Sequence, residues 1–129
     1  MLDLHGAPGS QNGASHSGCS LKDGNIYWDT DWNKQNTLNA VRALAEICKS
    51  NLDVCYGIEV LNEPGWSLDR SSLQKYYQDA IKTAREVLPM QVPVVLFEWN
   101  PNWYLYEGKW DSLYPASTCG RVELDTHIY

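Results

Sequence analysis

The sequence predicts an α/β fold: a parallel sheet covered by helices. Three observations carry that expectation. Short, nearly continuous apolar runs alternate with segments of three- and four-residue apolar spacing. The order reads strand, helix, strand, helix, strand, irregular segment, strand. Each strand-like run also ends in polar side chains, namely Asp3 and His5, Asn62 and Glu63, Glu98 and Asn100, and His127 and Tyr129. In parallel α/β folds ligands bind at the carboxyl edge of the sheet, so four polar tips in succession predict a cleft there.

The elements follow in order. "MLDLHGAPGSQNGASHSG" opens as a very short apolar–polar strand and becomes a loop dense in Gly, Ser and Asn. A helix is expected from Asp31, because Leu38, Val41, Leu44, Ala45 and Cys48 fall on one face. "VCYGIEVLN" reads as a buried strand ending at Asn62. The next helix places Leu73, Tyr76, Tyr77, Ala80, Ile81, Ala84, Val87 and Leu88 on one stripe, with Ser71 or Ser72 as its cap and Pro89 closing it. "VPVVLFEWN" is a second buried strand, residues 101–118 are aromatic-rich with weak periodicity, and "RVELDTHIY" is a further strand.

Length and composition set the outer limits. The 129 residues suffice for one domain. A net charge of −6 without a basic cluster argues against nucleic acid or an anionic membrane as partner. No apolar run approaches the roughly 18 residues of a membrane span. Residues 1–15 carry neither a basic n-region nor an apolar h-region, so no export signal is visible in the chain. Six Trp and eight Tyr against one Phe suit either a wet, sugar-binding surface or a core that happens to use those rings.

Cys19, Cys48, Cys55 and Cys119 lack metal-type spacing, and four cysteines permit three pairings among which the sequence does not choose. Cys48 reads as simply buried on its helix. Cys19 and Cys119 fall in loop-like segments and could be oxidised in a secreted protein. His5, His16 and Cys19 match no standard zinc spacing, so no metal is expected.

"LDLHGAPGSQNG", "GIEVLNEP" and "DTHIY" together resemble the family 5 glycoside hydrolases, specifically their exo-β-1,3-glucanase branch. The insert "HSGCSLKDGNIYWDTDWNKQNT" is similar to that branch too. The resemblance implies a (β/α)₈ barrel of about 250 residues or more, of which residues 1–129 would form an incomplete catalytic domain, strands three to six. It implies a retaining hydrolase of β-1,3-glucan-type polysaccharide, needing no cofactor and no obligate protein partner, and extracellular or in the cell wall.

Retaining glycosidases use two carboxyl groups about 5–5.5 Å apart, one a proton donor and one a nucleophile. The resemblance makes Glu63 the general acid/base, where the residues alone would equally allow a carboxylate capping the turn before Pro64. It assigns substrate contacts to His5, Asn62, His127 and Tyr129. Asn62 could instead close an Asx turn, and His5 could be a structural donor. Trp66, Trp99 and Trp103 follow strand tips and suit either sugar stacking or loop packing. Glu98, in "LFEWN", precedes His127-x-Tyr129, whereas the family's nucleophile follows that pair. Glu98 is therefore read as a strand-five carboxylate that lines the cleft or supports it, and the nucleophile is expected outside this chain, as are the family's strand-two arginine and strand-eight tryptophan. The rival expectations are a carbohydrate-binding remnant without turnover and a self-associating fragment with two bare sheet edges.

Overall fold

A computed structural model describes residues 1–17, 24–98 and 109–127. Four parallel strands, β1 (Leu2–Asp3), β2 (Ile58–Glu59), β3 (Val94–Phe97) and β4 (Val122–Asp125), lie side by side in chain order. Their register pairs Leu2 with Ile58, Ile58 with Val94 and Val94 with Val122. Backbone bonds carry the pairing of β1 and β2 past their strict limits: Leu4 N–H donates to Glu59 at 3.1 Å and Asn62 N–H to Leu4 at 3.1 Å. The expected strand tip at Asn62 is therefore held to its neighbour.

Helix α1 (Asp31–Lys49) joins β1 to β2, and α2 (Arg70–Arg85) joins β2 to β3. Thr30 caps α1, its side chain accepting from Asn33 N–H. Val41, Ala45 and Cys48 of α1 meet Tyr76, Tyr77, Ala80, Ile81 and Ala84 of α2 and the strand residues Ile58, Val60, Leu61, Val94 and Leu96 in one core. Burying each large aliphatic side chain there contributes about 1.5–3 kcal/mol. Trp28 is fully buried with them, and its indole N–H donates to Thr37 at 3.0 Å.

Three expectations change. The cap of α2 is Asp69 and not Ser71 or Ser72: its carboxylate accepts from Ser72 N–H at 2.8 Å, which puts both serines inside the first turn. Ser72 is occupied elsewhere, bridging Asp29 and Lys34. Regular helix also stops at Arg85, so Val87 and Leu88 sit in the turn that follows rather than in the helix. Third, Cys48 is not a simple buried thiol but is bridged to Cys55, with Cα atoms 5.3 Å apart. The turn after α1, closed by Cys55 N–H on Asn51 at 2.7 Å, returns the chain beneath the helix end and makes that pairing. Cys119 is free and half-buried, and Cys19 lies outside the described residues.

The segment expected to be irregular contains two single-turn helices, α3 (Trp110–Leu113) and α4 (Ala116–Cys119). No helix among the described residues is long and apolar enough to cross a membrane.

Candidate active site

The carboxyl edge of the sheet is organised by the loop that follows β1. Gln11, fully buried, makes three bonds with its amide: Oε1 accepts from Ala7 N–H at 3.0 Å, and Nε2 donates to the carbonyls of His5 and Asn62, each at 2.9 Å. Asn12 Nδ2 donates to the Glu63 carbonyl at 3.0 Å, and Gly65 N–H donates to the Gln11 carbonyl at 2.8 Å. Two neighbouring side chains thus hold the peptide groups on both sides of Glu63.

That grip coincides with strain. Glu63 has φ of 41°, a left-handed conformation costly for a residue with a side chain, by about 1–3 kcal/mol. Only 7% of Glu63 is exposed. The backbone bonds offset the strain and fix where the carboxyl group lies. His127 Nδ1 is 2.6 Å from Glu63 Oε1, and His16 Nε2 is 3.0 Å from Oε2. One histidine therefore meets each carboxyl oxygen, from loops on opposite sides of the tip.

The surroundings are acidic. Asp125 Oδ2 lies 3.5 Å from His127 Nε2, and the hydrogen bond to Glu63, with Asp125 and Glu59 adding to it, raises the His127 pKa above the usual imidazole value despite some desolvation. Glu59, 2% exposed on β2, is pushed up to about 8, first by burial and then by Asp3 and Asp125. Its Oε1 meets no hydrogen-bond partner among the described residues, as a neutral carboxyl tolerates better than an ionised one.

The structure thus gathers some of the sequence-selected residues and separates others. Glu63 and His127 are in contact. Asn62 is buried beside them, and its amide nitrogen meets no hydrogen-bond partner among the described residues. His5 is exposed and bonds Asp3 Oδ2 at 2.7 Å; its ring centroid is 5.9 Å from that of His16. Trp66 is 66% exposed and lines, with Asn12, His16, Ile26 and Glu63, an open groove of about 380 Å³. Glu98 is buried at the tip of β3. Trp99, Asn100, Trp103 and Tyr129 lie outside the described residues.

Sequence reasoning missed Gln11, Asn12, His16 and Glu59. Glu59 was open to it: in "GIEVLNE" it shares a strand face with Leu61 and Glu63, as a lone charge in an apolar run. The loop residues left no such signal, since a Gly/Ser/Asn-rich stretch reads as turn chemistry whatever it touches. Among the described residues no group of three or more His, Cys, Asp or Glu side chains could hold a metal ion.

No family model matches the chain. Individual relatives do. The glucan 1,3-beta-glucosidase of Blumeria graminis is 40% identical over 131 residues, covering 100% of this chain and 29% of that protein. The probable glucan 1,3-beta-glucosidase A of Neosartorya fischeri is 35% identical over the same coverage. The glucan 1,3-beta-glucosidase of Schwanniomyces occidentalis is 33% identical over 135 residues, covering 99% of this chain and 29% of that protein. The chain spans 29% of the length of these relatives and, across its own length, is related to the glucan 1,3-beta-glucosidases.

Proposed function

We propose that these residues form part of a retaining β-1,3-glucan hydrolase of the family 5 type, with Glu63 as its general acid/base. The observation that carries this reading is the setting of Glu63: a strained, buried carboxyl group at a strand tip, flanked by a histidine on each oxygen and opening on a groove with an exposed tryptophan. Strain kept at a strand tip is characteristic of sites whose geometry matters more than their stability.

In this reading Glu63 donates its proton to the leaving glycosidic oxygen while a carboxylate from a further strand attacks the anomeric carbon. It then takes a proton from the water that releases the glycosyl group. Asn62, whose amide donor meets no partner among the described residues, bonds the sugar 2-hydroxyl as charge develops. His127 orients the Glu63 carboxyl group, and His5 and Trp66 contact the substrate, Trp66 on the leaving-group side. Tyr129 and Trp99 keep their expected substrate roles as part of the proposal. Glu98 is a supporting carboxylate.

Four consecutive parallel strands with helical crossovers fit strands three to six of a (β/α)₈ barrel. A disulfide between Cys48 and Cys55 suits an oxidising compartment, as an extracellular or cell-wall enzyme requires.

The test is turnover of a linear β-1,3-glucan by the full-length protein and its Glu63→Gln variant. Loss of an acid/base lowers kcat by about 10²–10⁴-fold. An active protein whose Glu63→Gln variant matches it in rate would sink the assignment.

A further inference from the structure

The loop after β1 contains a chemically weak pair, Asn12–Gly13. A glycine leaves its own nitrogen unshielded, and that nitrogen can attack the side-chain carbon of a preceding asparagine. The new C–N bond closes a five-membered imide, and ammonia leaves with the proton that the glycine nitrogen gives up. Water then opens the ring to aspartate or isoaspartate. No other reactant is needed.

The fold requires both residues. Gly13 has φ of 74°, and a Cβ there would collide with the Gly24 carbonyl oxygen. Asn12 serves two backbone groups at once: Oδ1 accepts from Ala14 N–H at 2.9 Å, and Nδ2 donates to the Glu63 carbonyl at 3.0 Å. A backbone N–H only donates and a carbonyl only accepts, so the amide cannot be reversed. Nδ2 also lies 3.1 Å from His16 Nε2.

These contacts oppose the reaction at both reacting nitrogens. Gly13 N–H donates to Ser10 Oγ at 2.8 Å, a bond forfeited when that nitrogen loses its hydrogen. Departure of Nδ2 as ammonia forfeits the bond to the Glu63 carbonyl. We propose that Asn12–Gly13 is a site of spontaneous deamidation that the native loop holds shut, and that its conversion releases the tip after β2. The product carboxylate has no hydrogen to offer the Glu63 carbonyl. It also adds a negative charge to the groove that Asn12 and Glu63 both line. Glu63, strained at φ of 41°, then loses the side-chain bond to its own carbonyl.

Peptide mapping by mass spectrometry of the full-length protein, held at mildly alkaline pH, reads the conversion without any substrate. In native buffer Asn12 should convert at least about tenfold more slowly than in the same protein unfolded in urea, since only the opened loop reacts. Equal rates overturn the proposal. Ser10→Ala removes one hydrogen bond and should speed the native reaction roughly three- to tenfold. Hydrogen exchange at the Gly13 amide should rise with it, while exchange in α1 does not. A native rate unmoved by Ser10→Ala, or one that rises only with exchange in α1, overturns the loop as the gate. In the converted protein the Gly65 amide should exchange faster than before, and unchanged exchange there would sever the link to the tip.

Discussion

The two ends of the sheet are closed by the same device made from different chemistry. At the amino end, Arg85 from α2 donates to four carbonyls: Cys119 at 2.6 Å, Pro89 and Val92 at 2.8 Å, and Arg121 at 2.7 Å. The Cys48–Cys55 bridge stiffens the same end. At the carboxyl end Gln11 and Asn12 answer the carbonyls of His5, Asn62 and Glu63. A cation suits the first position because nothing there must change charge. Burial pulls the Arg85 pKa below its ordinary value, yet an arginine stays protonated at any working pH. At the second position a guanidinium beside Glu63 would hold it ionised. Neutral amides give the same mechanical support without placing a charge beside Glu63. On the proposed reading, an acid that must keep its proton requires a clamp without charge.

The largest stability effect expected from breaking this comparison is at Arg85. Arg85→Leu keeps most of the apolar stem but strands four carbonyls, and should lower the unfolding free energy by about 4 kcal/mol. Urea titration checks it, and a loss below about 1 kcal/mol would mean that the amino end is held by something else.

Gln11→Ala removes three bonds, two of them buried, and should cost about 2–3 kcal/mol. Its effect should be local as well as global. Amide hydrogen exchange at Asn62 and Gly65 should rise more than exchange in α1, because the strained tip loses what holds it. Uniform loosening would show that Gln11 is merely a core residue.

The smallest effect sharpens the electrostatic half. Glu59 ionises near 4.5 when free and at about 8 in the fold. Between those values the folded chain binds a proton that the unfolded chain does not, so stability is fullest below 4.5 and falls as pH rises toward 8. His127, raised above 6.5, adds a contribution of the same sign, complete below that value and lost as pH climbs past its folded pKa. Thermal melts of Glu59→Gln should therefore fall less between pH 5 and pH 8 than those of the unaltered chain. Parallel curves would place the pH sensitivity elsewhere.

Tyr76 and Tyr77 show how one helix repeat can serve both core and site. Their rings fill the core, while their hydroxyls donate to the Val60 and Phe97 carbonyls near the ends of β2 and β3. The periodicity that makes α2 predictable thus also sets the height of the strand tips. Asp69 is the counter-example: it caps α2 in place of Ser71 or Ser72, and Ser72 instead bridges Asp29 and Lys34, a pairing made only in the fold.

What the sequence determined by itself is whatever its spacing encodes: two amphipathic helices, apolar strands between them, and polar groups at each strand end. Those features repeat every two or every 3.6 residues and are visible without the fold. The tertiary structure alone decided the cysteine pairing, the neutral clamp, and the meeting of His16, Glu63 and His127. Asn12 lies 51 residues from its Glu63 partner, and His127 lies 64 from the same side chain. No local period spans such distances. Each contact exists because parallel pairing in chain order brings successive strand tips together at one edge of the sheet.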